Sequence, residues 1–326
     1  MTGIVVSFLV FFSLPFLVAG LVVVIRRAIT GKPLPKLKAF LTDNLIASVI
    51  TVVITFVICL VMTWVGFYEM QFYRPYKKDF GKAEELGLEP EVVSFNSEDG
   101  TQLHGWFLPA KDEPLGTVMH CHGSDLNITL TIRNVSWLTE RGYNVFAFDY
   151  RGYGKSKGKP SAEGVVSDSV AALRYVASRD DVDASRIILW GQSMGGQLAI
   201  SAAALCDDVA PAAVVSEATY ATHSHHVKDK LAQMGPLWLI QWGPWLTTSD
   251  KHAALPVVSE LPPTNLLLVH GSADRVVQPY QSEWLYDASS ERKEIWRVEG
   301  AKHLNIFQDA EYRDRLCDYF RSTIDH

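Results

Sequence analysis

Ser193, Asp274 and His303 have residue types and settings that together could run covalent catalysis. Ser193 is the centre of Gly191-Gln192-Ser193-Met194-Gly195, a G-x-S-x-G spacing. Asp274 closes His270-Gly271-Ser272-Ala273-Asp274, and His303 closes Gly300-Ala301-Lys302-His303. A serine hydroxyl is a poor nucleophile near neutral pH. It needs a base to take its proton, and the base needs an acid to orient it. Alone, each of these residues is more ordinary as a polar group in a turn; in combination they supply nucleophile, base and orienting acid. Acyl transfer also needs donors for the developing oxyanion. The Met194 N–H, directly after the serine, is one candidate. The second comes from His122-Gly123-Ser124-Asp125, where the Ser124 N–H is the candidate.

Such groups must be held by something rigid. Ser193 sits between an apolar run of strand character, Ile187-Ile188-Leu189-Trp190, and an alanine-rich run of helix character from Gln197 to Leu205. A serine on a sharp strand-to-helix turn takes a strained backbone, and glycines on either side remove Cβ atoms that would collide there. Asp274 follows the apolar run Leu266-Leu267-Leu268-Val269-His270, and His303 follows Glu294-Ile295-Trp296-Arg297-Val298. Further strand-like runs lie at 92–95, 103–108, 117–121, 145–148 and 212–215, and a helical run covers about 162–178. Strands alternating with helical stretches predict an α/β fold, a mostly parallel sheet with helices on both faces. In such a sheet, groups just past the carboxyl ends of strands converge, and all three residues lie there.

The N-terminal part reads differently. Residues 4–25 and 44–67 are almost wholly apolar and uncharged, each long enough to cross a bilayer as a helix. They predict a transmembrane hairpin over residues 1–68, a connector over 69–90, and a catalytic domain over 91–326 with a cap insert at about 218–263. The alternative for the apolar runs is a signal peptide followed by a buried helix, but the first run lacks a positive leader. The connecting loop carries Arg26, Arg27, Lys32, Lys36 and Lys38 and no acid. Positive loops stay cytoplasmic, so this expectation puts the protein in the cell membrane with its body on the extracytoplasmic side. Arg74, Lys77, Lys78 and Lys82, and cysteines in the body without pairing spacing, lean the other way.

Charge and cysteine usage exclude other classes. Residues 1–66 hold five bases and one acid, which leaves 25 bases against 35 acids in the remainder. An acidic body without a basic stripe is a poor match for nucleic acid. Cys59, Cys121, Cys206 and Cys317 show no CxxC or Cys/His ligand spacing, so neither a disulfide framework nor a structural zinc site is expected. His223, His225 and His226 in the insert read as solvated loop histidines, and no metal or other cofactor is expected. The sequence sets no oligomeric state.

The resemblance carried by these pieces is specific. HGS at 122–124, DYRGYGKS at 149–156, GQSMGG at 191–196, HGSADRVV at 270–277 and GAKH at 300–303 resemble α/β-hydrolases of the serine-hydrolase type. The chain is similar to their membrane-anchored branch of lysophospholipase-like, depalmitoylase-like and esterase-like proteins, over about residues 90–326. The resemblance implies Ser193 as nucleophile, His303 as general base and acid, and Asp274 as its orienter. It implies DYRGYGKS as a structural turn near the mouth of the site. Two departures stand out: Ser124 where many relatives carry Asn or Gly, and Lys302 before the histidine. The implied activity is hydrolysis of carboxylic or thioesters, with acyl lipids favoured by a membrane tether. A serine peptidase of prolyl-oligopeptidase type and an inactive membrane scaffold on this fold stay open. The insert run Trp238-Leu239-Ile240-Gln241-Trp242-Gly243-Pro244-Trp245 reads either as packing over the sheet or as an apolar lid that admits an acyl chain.

Overall fold

The computed structural model describes residues 72–324 together with positions 49, 50, 53, 54, 56, 57 and 61. Apart from those few positions, the expected hairpin at 4–25 and 44–67 lies outside the described residues. Among the described residues, no helix is long and apolar enough to cross a membrane. The chain divides into two compact units, residues 69–226 with 249–326, and residues 1–68 with 227–248.

The first unit is built on an eight-stranded sheet. Its strands are β1 (Glu91–Asn96), β2 (Gln102–Leu108), β3 (Gly116–Cys121), β4 (Tyr143–Asp149), β5 (Ile187–Gln192), β6 (Ala213–Glu217), β7 (Asn265–Gly271) and β8 (Lys293–Val298). The order is β1-β2-β4-β3-β5-β6-β7-β8. β2 runs antiparallel to both β1 and β4, and every later pairing is parallel. The central strands β3, β4, β5 and β6 are buried along their whole length. That matches their unbroken apolar runs, as expected of parallel strands covered on both faces. β3 lies between β4 and β5, so the winding direction reverses there. Such a switch point opens a crevice at the carboxyl ends of the two diverging strands. The loop after β3 carries Gly123 and Ser124, and the turn after β5 carries Ser193.

The main helices are α1 (Ala162–Ala177), α2 (Met194–Leu205), α3 (His223–Gln233), α4 (Tyr280–Ala288) and α5 (Ala310–Ile324). Strand side chains alternate between faces. Val145 and Ala147 join a core with Leu316, Cys317 and Phe320 of α5. Phe146 points to the other face, where it meets Tyr175 of α1, with Phe95 stacked on that ring at 4.8 Å. In the other unit, residues 235–240 form a 3-10 turn and 244–247 a short helical turn.

Two sequence expectations need correction. The helix after Ser193 starts at Met194, not after Gly196. The glycines that look like helix breakers are there because backbone passes close by: a Cβ on Gly195 would collide with the Cys121 carbonyl, and one on Gly196 with Ser216 and Thr219. Second, His223, His225 and His226 lie on α3, not in a solvated loop, and His223 and His226 are buried. His223 meets the Phe72 ring edge at 4.7 Å and His226 stacks on Tyr220 at 4.5 Å. Those aromatic partners are either remote in sequence or hidden in a loop. Burial pushes the His223 imidazole down to about 4, which keeps it neutral.

Candidate active site

Ser193 is the first of the expected residues to find a special setting. It is the N-cap of α2 with φ 55° and ψ −118°, left-handed territory that costs a non-glycine residue about 1–2 kcal/mol. Backbone holds it there. Its N–H donates to the Glu217 carbonyl at 2.8 Å, and the Ser193 carbonyl accepts from the Thr219 hydroxyl at 2.7 Å. A Cβ on Gly191 would collide with the Gly195 carbonyl, so the sharp turn requires glycine. The Met194 N–H opens the first turn of α2. N–H groups there lack intrahelical partners and favour negative charge.

Asp274 and His303 are brought together. His303 Nδ1 lies 2.7 Å from Asp274 Oδ2. The ionised carboxylate only accepts, so Nδ1 donates and Nε2 is left as the basic nitrogen. Two loops are locked to make this pair. The Ala273 N–H donates to Ala301 O at 3.0 Å, and the Gly300 N–H donates to Ser272 Oγ at 2.9 Å. Leu304, next to His303, also sits at positive φ, 54°. Asp274 Oδ1 accepts from the Val276 and Val277 N–H groups at 2.8 and 3.0 Å.

His270, which no local sequence pattern ties to the site, adds a further donor. Its Nε2 faces Val277 O at 3.1 Å and Asp274 Oδ2 at 3.3 Å, both acceptors, so it carries the proton. Its Nδ1 takes the Ser282 hydroxyl at 2.6 Å. Burial acts to raise the Asp274 pKa, but the bonds from His270 and His303, the His303 charge and the Val277 N–H outweigh it. The carboxyl is held well below the usual carboxylate range and stays ionised at neutral pH.

A polar network lies behind the serine. Gln192 Oε1 accepts from Asn134 Nδ2 at 2.8 Å and faces His120 Nε2 at 3.2 Å, while its Nε2 donates to Glu217 Oε2 at 2.7 Å. Burial pushes the Glu217 carboxyl up to about 7; the nearby Asp274 charge adds to this and the Gln192 bond opposes it. The folded protein therefore binds a proton that the unfolded chain has already lost near pH 4.5. Stability falls as pH rises through that window, by at most ~3 kcal/mol, and flattens above it. A Glu217→Gln variant should lose this dependence. Denaturant midpoints of wild type and variant at pH 5 and pH 8 check it: the wild type should drop relative to the variant. Parallel curves would show that Glu217 does not titrate in this range.

The loop after β3 is placed against the serine. A Cβ on Gly123 would stand 3.7 Å from Ser193 Cβ. Ser124 is partly exposed, and its carbonyl accepts from Tyr153 Oη at 2.9 Å. The DYRGYGKS turn is indeed structural. Arg151 forms a buried bridge to Asp168, with contacts of 2.8–3.1 Å, and reaches Asp99 at 2.8 Å. Polar residues near the ends of otherwise apolar strands, such as His120, Gln192, Glu217 and His270, are the one sequence feature that could point to the supporting groups. Among the described residues, no group of His, Cys, Asp and Glu could hold a metal ion. The cysteines among them, Cys121, Cys206 and Cys317, are free and buried.

Comparison with known proteins adds the following. The family model described as "Serine aminopeptidase, S33" matches residues 112–260. That span contains Ser193 but ends before Asp274 and His303. The uncharacterized protein YfhR of Escherichia coli (strain K12) is 33% identical over 260 residues, covering 78% of this chain and 87% of that protein. The α/β-hydrolase domain-containing protein WAV2 of Arabidopsis thaliana is 35% identical over 139 residues, covering 40% of this chain and 45% of that protein. Among solved structures, an esterase of Pyrococcus furiosus superposes with a TM-score of 0.65 at 21% identity, over 78% of this chain and 98% of that one. A dipeptidyl peptidase 4 of Porphyromonas gingivalis superposes with a TM-score of 0.58 at 19% identity, over 74% of this chain and 37% of that one. At such identities the two structures speak for the fold alone.

Proposed function

The chain belongs to the α/β-hydrolase superfamily, and from that premise we propose that it is a membrane-anchored serine hydrolase of carboxylic or thioesters. The observation that carries this reading is the 2.7 Å bond between His303 and Asp274; the strained turn that holds Ser193 at φ 55° at the head of α2 agrees with it. Ser193 Oγ attacks the acyl carbonyl while His303 Nε2 takes its proton. The N–H groups of Met194 and Ser124 hold the oxyanion. As the tetrahedral intermediate collapses, His303 returns the proton to the leaving oxygen or sulfur. A water then attacks the acyl-enzyme with His303 again as base, releasing the acid and restoring Ser193. The chemistry needs no cofactor.

The two uncharged apolar runs at 4–25 and 44–67 support the anchor, and the basic loop between them supports an extracytoplasmic body. A peptidase is the second reading, favoured by the description of the matching family. One experiment addresses these points: fluorophosphonate labelling of carbonate-washed membranes and of the soluble fraction from cells that express the full chain. A labelled band in the washed membranes is expected. Labelling in the soluble fraction alone would keep the hydrolase and sink the anchor. No labelling of folded protein would sink the hydrolase. Paired turnover of p-nitrophenyl esters and aminoacyl anilides separates esterase from peptidase.

The insert gives a substrate prediction. Trp238 is 40% exposed and Met234 48% exposed, so both offer apolar surface that an acyl chain could cover. Trp238→Ala and Trp242→Ala should depress hydrolysis of long-chain esters about tenfold more than that of acetyl or butyryl esters, the worth of a few lost methylene contacts. Equal losses across chain lengths would refute a lid that reads the acyl chain.

A further inference from the structure

The loop that carries the second oxyanion donor is held at successive carbonyls. Tyr150 Oη donates to His122 O at 3.1 Å. His122 Nδ1 lies 2.7 Å from Gly123 O, and since a carbonyl only accepts, Nδ1 donates. Ser124 O accepts twice, from Tyr153 Oη at 2.9 Å and from the Arg74 N–H at 3.1 Å. The same Arg74 N–H also reaches Tyr153 Oη at 3.1 Å, so connector, turn and loop close a triangle.

The C=O and N–H of one trans peptide point in opposite directions. Holding His122 O therefore aims the Gly123 N–H, and holding Gly123 O aims the Ser124 N–H. Holding Ser124 O stops the next peptide from flipping and carrying Ser124 with it. A carbonyl that accepts a hydrogen bond also polarises its amide, which makes the attached N–H a better donor. His122 does this for the Ser124 N–H, and the buried tyrosines Tyr150 and Tyr153 do it for the peptides on either side. Burial pushes the phenols of Tyr150 and Tyr153 far above their ordinary pKa, so both remain donors wherever the enzyme works.

The connector contributes more than one contact. The Gly154 N–H donates to Tyr76 O at 2.8 Å, Asn127 Nδ2 donates to Tyr76 O and Lys78 O at 3.0 and 2.9 Å, and the Phe80 N–H donates to Thr129 Oγ1 at 3.0 Å. Phe72 is buried beside Tyr220 and His223. Residues 72–80 are thus strapped along the loop after β3 and the turn after β4.

We propose that Tyr150 and Tyr153, with the backbone N–H of Arg74, are positioning groups for oxyanion binding: they tie the connector and the 149–156 turn to the His122–Ser124 loop and fix the two peptides on either side of the one that carries the Ser124 N–H, so that the amide His122 aims stays directed at the developing charge. This inference rests on the serine-hydrolase reading. It gives the segment that joins the apolar N-terminal runs to the body a direct hold on the rate, because displacing it removes one of the two donors to Ser124 O.

Tyr150→Phe, Tyr153→Phe and the double variant test it in the full-length protein. Each keeps the buried ring and loses only the hydroxyl. Removing an oxyanion donor outright costs about 100- to 1000-fold, and misdirecting one should cost less. We expect kcat/KM on a p-nitrophenyl ester to fall roughly tenfold per hydroxyl, with KM and the midpoint of the ascending pH limb unchanged. The inhibition constant of a trifluoromethyl ketone, which forms the same oxyanion on Ser193, should rise by the same factor. A folded double variant that turns over at the wild-type rate overturns the inference, as does a rate loss that leaves the inhibitor constant unmoved. Melting curves show that the variants are folded. A wild type unlabelled by fluorophosphonate removes the serine-hydrolase reading itself, which separates the two failures.

Discussion

Replacing Ser193 with alanine should abolish fluorophosphonate labelling and lower kcat on any ester substrate by about 10⁵- to 10⁶-fold, the scale on which a triad nucleophile acts. The fold should not notice. Ser193 Oγ has no part in the bonds that hold the elbow, which run through the Ser193 N–H to Glu217 O and the Thr219 hydroxyl to Ser193 O. Alanine keeps the Cβ and with it the strain of φ 55°. A Ser193→Gly variant makes the contrast sharper. Glycine is at ease in that region, so it should gain about 1 kcal/mol of stability from released strain, less its own added unfolded-state entropy, while activity is equally lost. A strained residue whose removal stabilises the protein and ends its activity is the behaviour of a functional site. Retained labelling in Ser193→Ala would show that the probe reacts elsewhere and would dismantle the assignment.

Ser193, Asp274 and His303, the proposed nucleophile and its two proposed partners, are local features, and each lies in a short stretch that the sequence displays. Ser193 is bracketed by glycines between a strand and a helix, and Asp274 and His303 each follow an apolar run. The eight strands are visible for the same reason: most are buried on both faces and read as unbroken apolar segments. The strand order is not visible. Nothing local says that β2 inserts antiparallel between β1 and β4, or that β3 returns between β4 and β5. That choice is made by packing between segments far apart in the chain. Yet it creates the switch-point crevice between the Ser193 turn and the Gly123 loop.

The supporting groups escaped for a related reason. Tyr150 and Tyr153 belong to a turn that looks structural, and it is, through the Arg151–Asp168 bridge. Their hydroxyls act on carbonyls 28 and 29 positions away, a separation at which a sequence offers no register. His270 likewise looks like the last residue of β7. Its role appears only once Ser282 of α4 and Asp274 are both within reach. The histidines of α3 misled because their aromatic partners include Phe72, far upstream. Polar side chains at the ends of apolar strands were the usable signal, and they marked the right neighbourhood without assigning any task within it.

Asp274→Asn should be the second most damaging single change, at about 10⁴-fold in kcat, and its geometry explains why a shape-preserving swap is so costly. Oδ1 faces the Val276 and Val277 N–H groups, so an asparagine must leave its oxygen there to avoid donor against donor. Its NH₂ then points at His303 Nδ1 and His270 Nε2, both of which now donate to Oδ2. His303 can relieve the clash only by moving its proton to Nε2, and that tautomer cannot take a proton from Ser193. The effect on stability has a definite sign. The folded-state pKa of Asp274 is depressed, so the ionised carboxylate contributes stability above the ordinary carboxylate pKa of about 3.9, and that contribution disappears as pH falls through the folded value. Because the Asp274 charge also raises the Glu217 pKa, the comparison belongs in a Glu217→Gln background, where adding Asp274→Asn should open a melting-temperature gap that is constant from pH 6 to 8 and closes only in acid. Turnover and labelling rates of Asp274→Asn alone at neutral pH decide the catalytic part. A loss of less than tenfold would mean that another carboxylate orients His303, and Glu217, buried at the end of β6 and within the field of Asp274, would be the one to replace next.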